Sequence, residues 1–388
     1  MSVRASGMHA PGPIMSDVAD TLAERARTLI QTWGTRGTAP RPLPPDLVRA
    51  VYQLWLVAFA LKVLGASWDM SWHFKWLRDD LAPPHLLNSA GTAIVVALVI
   101  AHSWTGRAVD RPALRLQQVG LGIFLVAIPL DVVNHRINGL DLTAWSPTHA
   151  LLYLGSALIL AGVVRGWWLF GSGRARLPVL VVLWMLALEC AWFPAQQQEY
   201  GVLAVAAWDR GSPEAEPILL QFAAGQIGRP VDRAAVLHFA LPTGACVYPV
   251  WLLAAAGLVL VLARWMIGRP WAATVVAGGY VAYRCVTGAL LEGIGFPGSA
   301  VPFVLLALGV AVDAAFRAPL PEWLRPLLGA LLAGAAVTGT MVLQHEWLAL
   351  PPIGPIGLVT GTLLLAALWI ATVLGVRTQA FARWARPH

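Results

Sequence analysis

The chain alternates between long apolar runs and short polar ones, and the apolar runs are long enough to cross a bilayer. A spanning helix needs about 20 predominantly apolar residues. Such runs lie near 48–67, 86–104, 115–134, 149–168, 178–195, 238–263, 271–290, 299–316, 325–343 and 356–376. The pattern predicts an all-α polytopic membrane bundle of ten transmembrane helices. The polar intervals divide it further. Residues 1–46 read as a polar tail with an amphipathic helix over 16–33 and a Pro-rich linker over 39–45. Residues 47–170 read as a four-helix membrane module. Residues 171–388 read as a six-helix module with a long outer loop over 196–237, opening Gln196-Gln197-Gln198-Glu199-Tyr200. No cleavable signal peptide is visible.

Composition agrees with this division. Of 388 residues, 58% are hydrophobic and only 12% charged, where soluble domains carry about 25% charged residues. The net charge of +7 does not point to nucleic acid, because the basic residues sit in alternate loops. Arg25, Arg27, Arg36, Arg41 and Arg49 precede the first span. Arg107, Arg111 and Arg115 follow the second, Arg165, Arg174 and Arg176 the fourth, and Arg264 and Arg269 the sixth. Arg317 and Arg325 follow the eighth, and Arg377, Arg383 and Arg386 the tenth. By the positive-inside rule both termini are expected to be cytoplasmic, in a bacterial inner (plasma) membrane. Cys190, Cys246 and Cys285 stand singly in apolar segments and are expected to be buried packing residues.

Two stretches near the extracytoplasmic ends of the spans repeat one another. The first is Asp69-Met-Ser-Trp-His73, then eleven residues, then His85 in Pro83-Pro84-His85. The second is Asp131-Val-Val-Asn-His135, then thirteen residues, then His149 in Pro147-Thr148-His149. Each has a glycine six residues after its last histidine, Gly91 and Gly155. Residues four apart share a helix face, and proline suits the first turn of the following helix. Each hairpin therefore offers one carboxylate and two imidazoles from adjacent helix ends, and pseudo-symmetric packing would gather all six into one cluster. Alone, either set would read as hydrated or capping groups at a helix end. Occurring twice, the pattern favours metal ligation; a proton relay is the intermediate reading.

Two histidines and a carboxylate suit copper, zinc or iron. Zinc would support hydrolysis, and a non-enzymatic copper-binding or transport protein would use the same residues. Asp79, Asp80 and Asp141 lie in the hairpin loops, and Trp72, Trp76 and Trp145 flank the motifs. His238, Glu292, His345 and Glu346 are further ionisable residues at the same face. The chain has no P-loop, Rossmann fingerprint, nucleophile elbow or haem-attachment motif.

Over roughly residues 50–170 these motifs resemble the C subunit of the copper membrane monooxygenases, the particulate methane and ammonia monooxygenase family. There, one copper site combines Asp-x3-His with a Pro-x-His in the next helix and carries an Arg-Asp before that proline, here Arg78-Asp79. The resemblance implies a copper site at Asp69, His73 and His85, with histidines one residue closer than in the family. A second family site uses Asn, His and His, with a His–His spacing similar to that of His135 and His149; Asp131 stands in place of the asparagine. The likeness implies a copper-dependent monooxygenase-like oxidoreductase acting on a small apolar substrate, with partner subunits and a homo-oligomer as expected company. Residues 178–388 have no counterpart in that likeness.

Overall fold

A computed structural model describes residues 21, 23–24, 27–77, 81–138, 142–345 and 348–377. The expected 16–33 helix falls partly outside them, and so do Arg78-Asp79, Asp80, Asp141 and Glu346. The described residues are helical, with no strand beyond an isolated bridge between Arg41 and Arg107. In chain order the helices are α1 Pro45–His73, α2 Pro83–Thr105, α3 Arg111–Asn138, α4 Pro147–Phe170, α5 Arg176–Asp209 and α6 Pro217–Gln226. They continue as α7 Arg233–Ala240, α8 Val247–Ile267, α9 Ala272–Gly293, α10 Val304–Arg317, α11 Arg325–His345 and α12 Pro355–Arg377. A short π-helical stretch, Leu252–Ala256, lies inside α8.

Local chemistry explains many of the boundaries. Proline stands in the first turn of α1, α2, α4 and α6, where its missing N–H costs nothing. Gly106 and Gly268 end α2 and α8 in the left-handed conformation (φ +63° and +70°), which a side chain would strain.

Among the described residues nine helices, not ten, are long and apolar enough to span a membrane. The difference is the run 299–316. Its residues 299–303 are non-helical, and α10 has only 14 residues, about 21 Å at 1.5 Å per residue against a core of about 30 Å. Large apolar side chains on the spanning helices remain exposed, among them Leu54, Val57, Ile100, Val126, Leu331, Val359 and Leu363. In water that would be costly; against lipid it is the expected solvation.

Helices α1 and α2 pair, as do α3 and α4, and α5 packs against members of both modules, including α1, α4, α7, α8 and α9. The pairing of α1 with α2 and of α3 with α4 is close because glycines sit at the crossings. A Cβ on Gly91 would lie 2.6 Å from Ala58 O, and one on Gly155 would lie 2.7 Å from Gly120 O.

The stretch 196–237 does not leave the bundle at residue 196. Helix α5 runs on to Asp209, and α6 and α7 follow. The reason is that Gln196, Gln197, Gln198 and Glu199 are buried and find partners inside. Glu199 accepts hydrogen bonds from Trp192 Nε1 (2.9 Å), Tyr248 OH (3.2 Å) and Arg284 Nη1 (2.8 Å). Gln197 donates to Phe239 O and accepts from Ala144 N. A polar run in sequence thus becomes an internal seam holding α5, α7, α8 and α9 together. Two further ion pairs, Arg165–Asp110 and Arg264–Asp313, tie helices together elsewhere. No disulfide forms among the described residues; Cys246 and Cys285 are exposed rather than buried, and Cys190 is half-buried.

Candidate functional site

The six motif residues form two groups of three instead of one cluster. Each group brings together the last turns of one helix and the first turn of the next. In the first, His85 Nε2 is 2.8 Å and His73 Nε2 is 3.4 Å from Asp69 Oδ1. In the second, His135 Nε2 is 3.5 Å and His149 Nε2 is 3.6 Å from Asp131 Oδ1. Within each group one ligand-type atom from every residue lies within 4.8 Å of the others.

The second group has the more telling geometry. Separations of 3.5 and 3.6 Å are too long for good hydrogen bonds. In a tetrahedral site with bonds of about 2.1 Å, neighbouring ligand atoms lie about 3.4 Å apart. The ring of His149 is also fixed from behind: its Nδ1 is 2.8 Å from Thr143 O. A carbonyl can only accept, so Nδ1 is the donor in this contact and Nε2 is the nitrogen that faces Asp131. A backbone carbonyl behind a ligating imidazole is the usual orienting contact at metal sites. Thr148 Oγ1 donates to Asp131 Oδ1 at 2.8 Å and holds the carboxylate. Pro129, inside α3 and two residues before Asp131, removes a helical hydrogen bond at this point. The group is largely buried, with Asp131 5% exposed.

The first group is looser. Its 2.8 Å contact between His85 and Asp69 is a hydrogen-bond distance, so these two side chains must open by a few tenths of an ångström to embrace an ion. The three side chains are 22–24% exposed.

A cavity of about 200 Å³ runs between the two hairpins and α5. Asp69, His73 and His85 line it from one side and His149 from the other; Asp131 and His135 are not among its lining residues. Its remaining surface is mostly apolar, including Phe59, Val63, Phe124, Leu152 and Phe193. Trp72, Trp76 and Trp145 do not line it. Trp72 and Trp76 pack with Phe296, and Trp145 packs on Trp251. His238, Glu292 and His345 belong to neither group.

Two charged cavity residues lie outside the motifs, Lys62 and Glu189. The sequence carries a signal for both. Each is a charged residue inside an otherwise apolar span, where insertion is costly enough to mark function, and Lys62 lies seven residues before Asp69 on the same helix.

No family model, curated protein or solved structure matches this chain.

Proposed function

We propose that this is a membrane-embedded metal-binding protein in which Asp69, His73 and His85 hold one transition-metal ion and Asp131, His135 and His149 a second. Its activity, in this reading, is that of a copper-dependent monooxygenase-like oxidoreductase acting on a small, largely apolar substrate. The observation that carries the metal reading is the second group: ligand atoms at tetrahedral-edge spacing, with His149 turned by Thr143 so that its Nε2 faces Asp131. The choice of copper and of oxygenation rests on the motif likeness over residues 50–170. The arrangement of basic loops supports placing both groups at the extracytoplasmic face.

Copper bound by these ligands would supply a redox-active centre able to engage dioxygen. The protein's own contribution is positional. Three ligands per ion leave coordination positions open. The imidazoles would ligate as neutral groups, and each carboxylate would offset part of the ion's charge. The apolar cavity wall gives a bilayer-soluble molecule a place to lie beside Asp69, His73 and His85.

Metal analysis of the full-length protein purified in mild detergent tests the reading directly. The expected result is one transition-metal ion per group. His73→Ala should remove the ion of the first group and His135→Ala that of the second. Clearly substoichiometric metal, unchanged in the double variant, would overturn the proposal. Substrate-dependent oxygen uptake by the copper-loaded protein then separates an oxygenase from a metal carrier.

A narrower expectation concerns Asp131. Because Thr148 and both histidines address Oδ1, Asp131→Asn keeps an oxygen donor in place and loses only its charge. Metal should still bind to this variant, with affinity lowered by about 10- to 100-fold, the range typical of weakened ligand surroundings. Equilibrium competition with a chromophoric chelator would measure it; undiminished affinity would remove Asp131 from the ligand set.

A further inference from the structure

Among the described residues, three buried Lys/Arg side chains stand in the spanning helices, and two of them are matched. Arg165 pairs with Asp110 and Arg284 with Glu199. Lys62 is the exception. It is 7% exposed, and its ammonium meets Asn88 Oδ1 at 2.9 Å, Thr92 Oγ1 at 2.9 Å and the face of Phe124, 3.9 Å from the ring centroid. All three partners are neutral. A buried charge is expensive unless a counter-charge accompanies it.

Lys62 lines the same cavity as the first Asp/His/His group. Lys62, Ala66, Asp69 and His73 follow one another at helical spacing along the cavity face of α1. Seven residues separate Lys62 from Asp69, a rise of about 10 Å. Val63, Phe124 and Phe193 supply apolar wall beside them, and Glu189, bonded to Ser67, also lines the cavity. The Glu189 carboxylate is held by neutral donors. Oε1 accepts from Ser67 Oγ (3.3 Å) and Gln196 Nε2 (2.9 Å), and Oε2 accepts from Tyr280 OH (2.6 Å). The Lys62 ammonium, for its part, meets no carboxylate within ion-pair distance among the described residues.

We propose that the cavity is a binding site for an alkyl carboxylate, whose head group pairs with Lys62 and whose chain extends along α1 towards Asp69, His73 and His85. The molecule has two candidate sources, a short-chain acid from the aqueous phase or a fatty acid drawn from the bilayer; head-group chemistry is the same in both. If the metal reading holds, the far end of the chain lies beside an ion and the carboxylate defines the substrate class. Binding itself needs no metal, so failure here and failure of the metal reading are separable.

The test uses chelator-treated, full-length protein in detergent, with residual metal measured on the same sample. Equilibrium binding of radiolabelled hexanoate is expected to be saturable, and equal concentrations of 1-hexanol should not displace it. Lys62→Met should weaken hexanoate binding by about thirtyfold or more, as loss of one partner of a buried charge pair does, while Lys62→Arg retains it. Should Lys62→Met not fold, Asn88→Asp decides: a carboxylate against Nζ supplies the missing charge internally and must abolish binding. Palmitate competing more strongly than hexanoate would identify the bilayer as the source, and the reverse order the aqueous phase. Absence of saturable binding, equal displacement by 1-hexanol, or hexanoate binding undiminished in Asn88→Asp would overturn the proposal.

Discussion

Gly155→Leu should strongly weaken metal binding at the second group while sparing the first. A Cβ at residue 155 would sit 2.7 Å from Gly120 O and 2.8 Å from Phe124 N. Both are backbone atoms, which cannot rotate aside as a side chain can. Leucine is a good helix former, so α4 stays helical and must move away from α3. That motion carries His149 away from Asp131, whose Nε2–Oδ1 separation of 3.6 Å leaves little room to grow before one ion no longer reaches both. We expect the forced repacking to cost about 1–3 kcal/mol of stability. Affinity of the second group should fall by about 100-fold or more, the upper end of what displaced ligand surroundings produce. Gly122 on α3 provides the control, since nothing stands within 4 Å of a Cβ built there. Gly122→Leu should leave metal content and thermal stability unchanged. Metal content and melting temperature of the two variants, measured side by side, check the prediction. Equal losses in both would show that the close crossing does not position the site.

A second large effect is expected at the seam inside the other module. Arg284→Met leaves Glu199 with Trp192 and Tyr248 as donors but without its cation. Arg284 and Glu199 are 3% and 0% exposed, so water cannot replace the lost partner. Removing one member of such a pair costs about 3–5 kcal/mol, whereas replacing both is often neutral. The single variant should therefore be poorly recovered or melt far below the parent, and Arg284→Met combined with Glu199→Gln should regain most of the loss. Thermal unfolding of the three proteins in one detergent reads this out. A double variant no better than the single would show that the guanidinium contributes through packing, or through its contact with Ser299 Oγ (2.7 Å), and not through the charge pair.

Both effects depend on features of different legibility. The metal-type residues could be read from the chain because their pattern is local. Asp69 and His73 lie four residues apart on one helix, and prolines announce where the helices carrying His85 and His149 begin. Helical periodicity and a short loop then suffice to bring three side chains together, to separations of 2.8–3.6 Å. Whether two such groups merge or stay apart is a matter of how the hairpins lie against α5, and no local rule fixes it. They stay apart, across a cavity.

The seam at Gln196–Glu199 was not legible for a related reason. Four consecutive polar residues after an apolar run look like an exit into water. Here they are turned inward, because Phe239, Tyr248 and Arg284, distant in the chain, furnish their partners. Lys62 poses the same problem in reverse: its charge is visible in the sequence, but its lack of a counter-charge is visible only once all neighbouring helices are in place.

The sequence by itself determined the solvent, the helical class and the two triads of ligand-type residues. Hydropathy and i, i+4 spacing act over a few turns and need no knowledge of the remainder. The tertiary structure decided the number of spanning helices, the separation of the two groups, the cavity between them and the pairing of buried charges. Each of those depends on contacts between residues far apart in the chain, where the balance of desolvation and pairing is settled only by the neighbours that packing supplies.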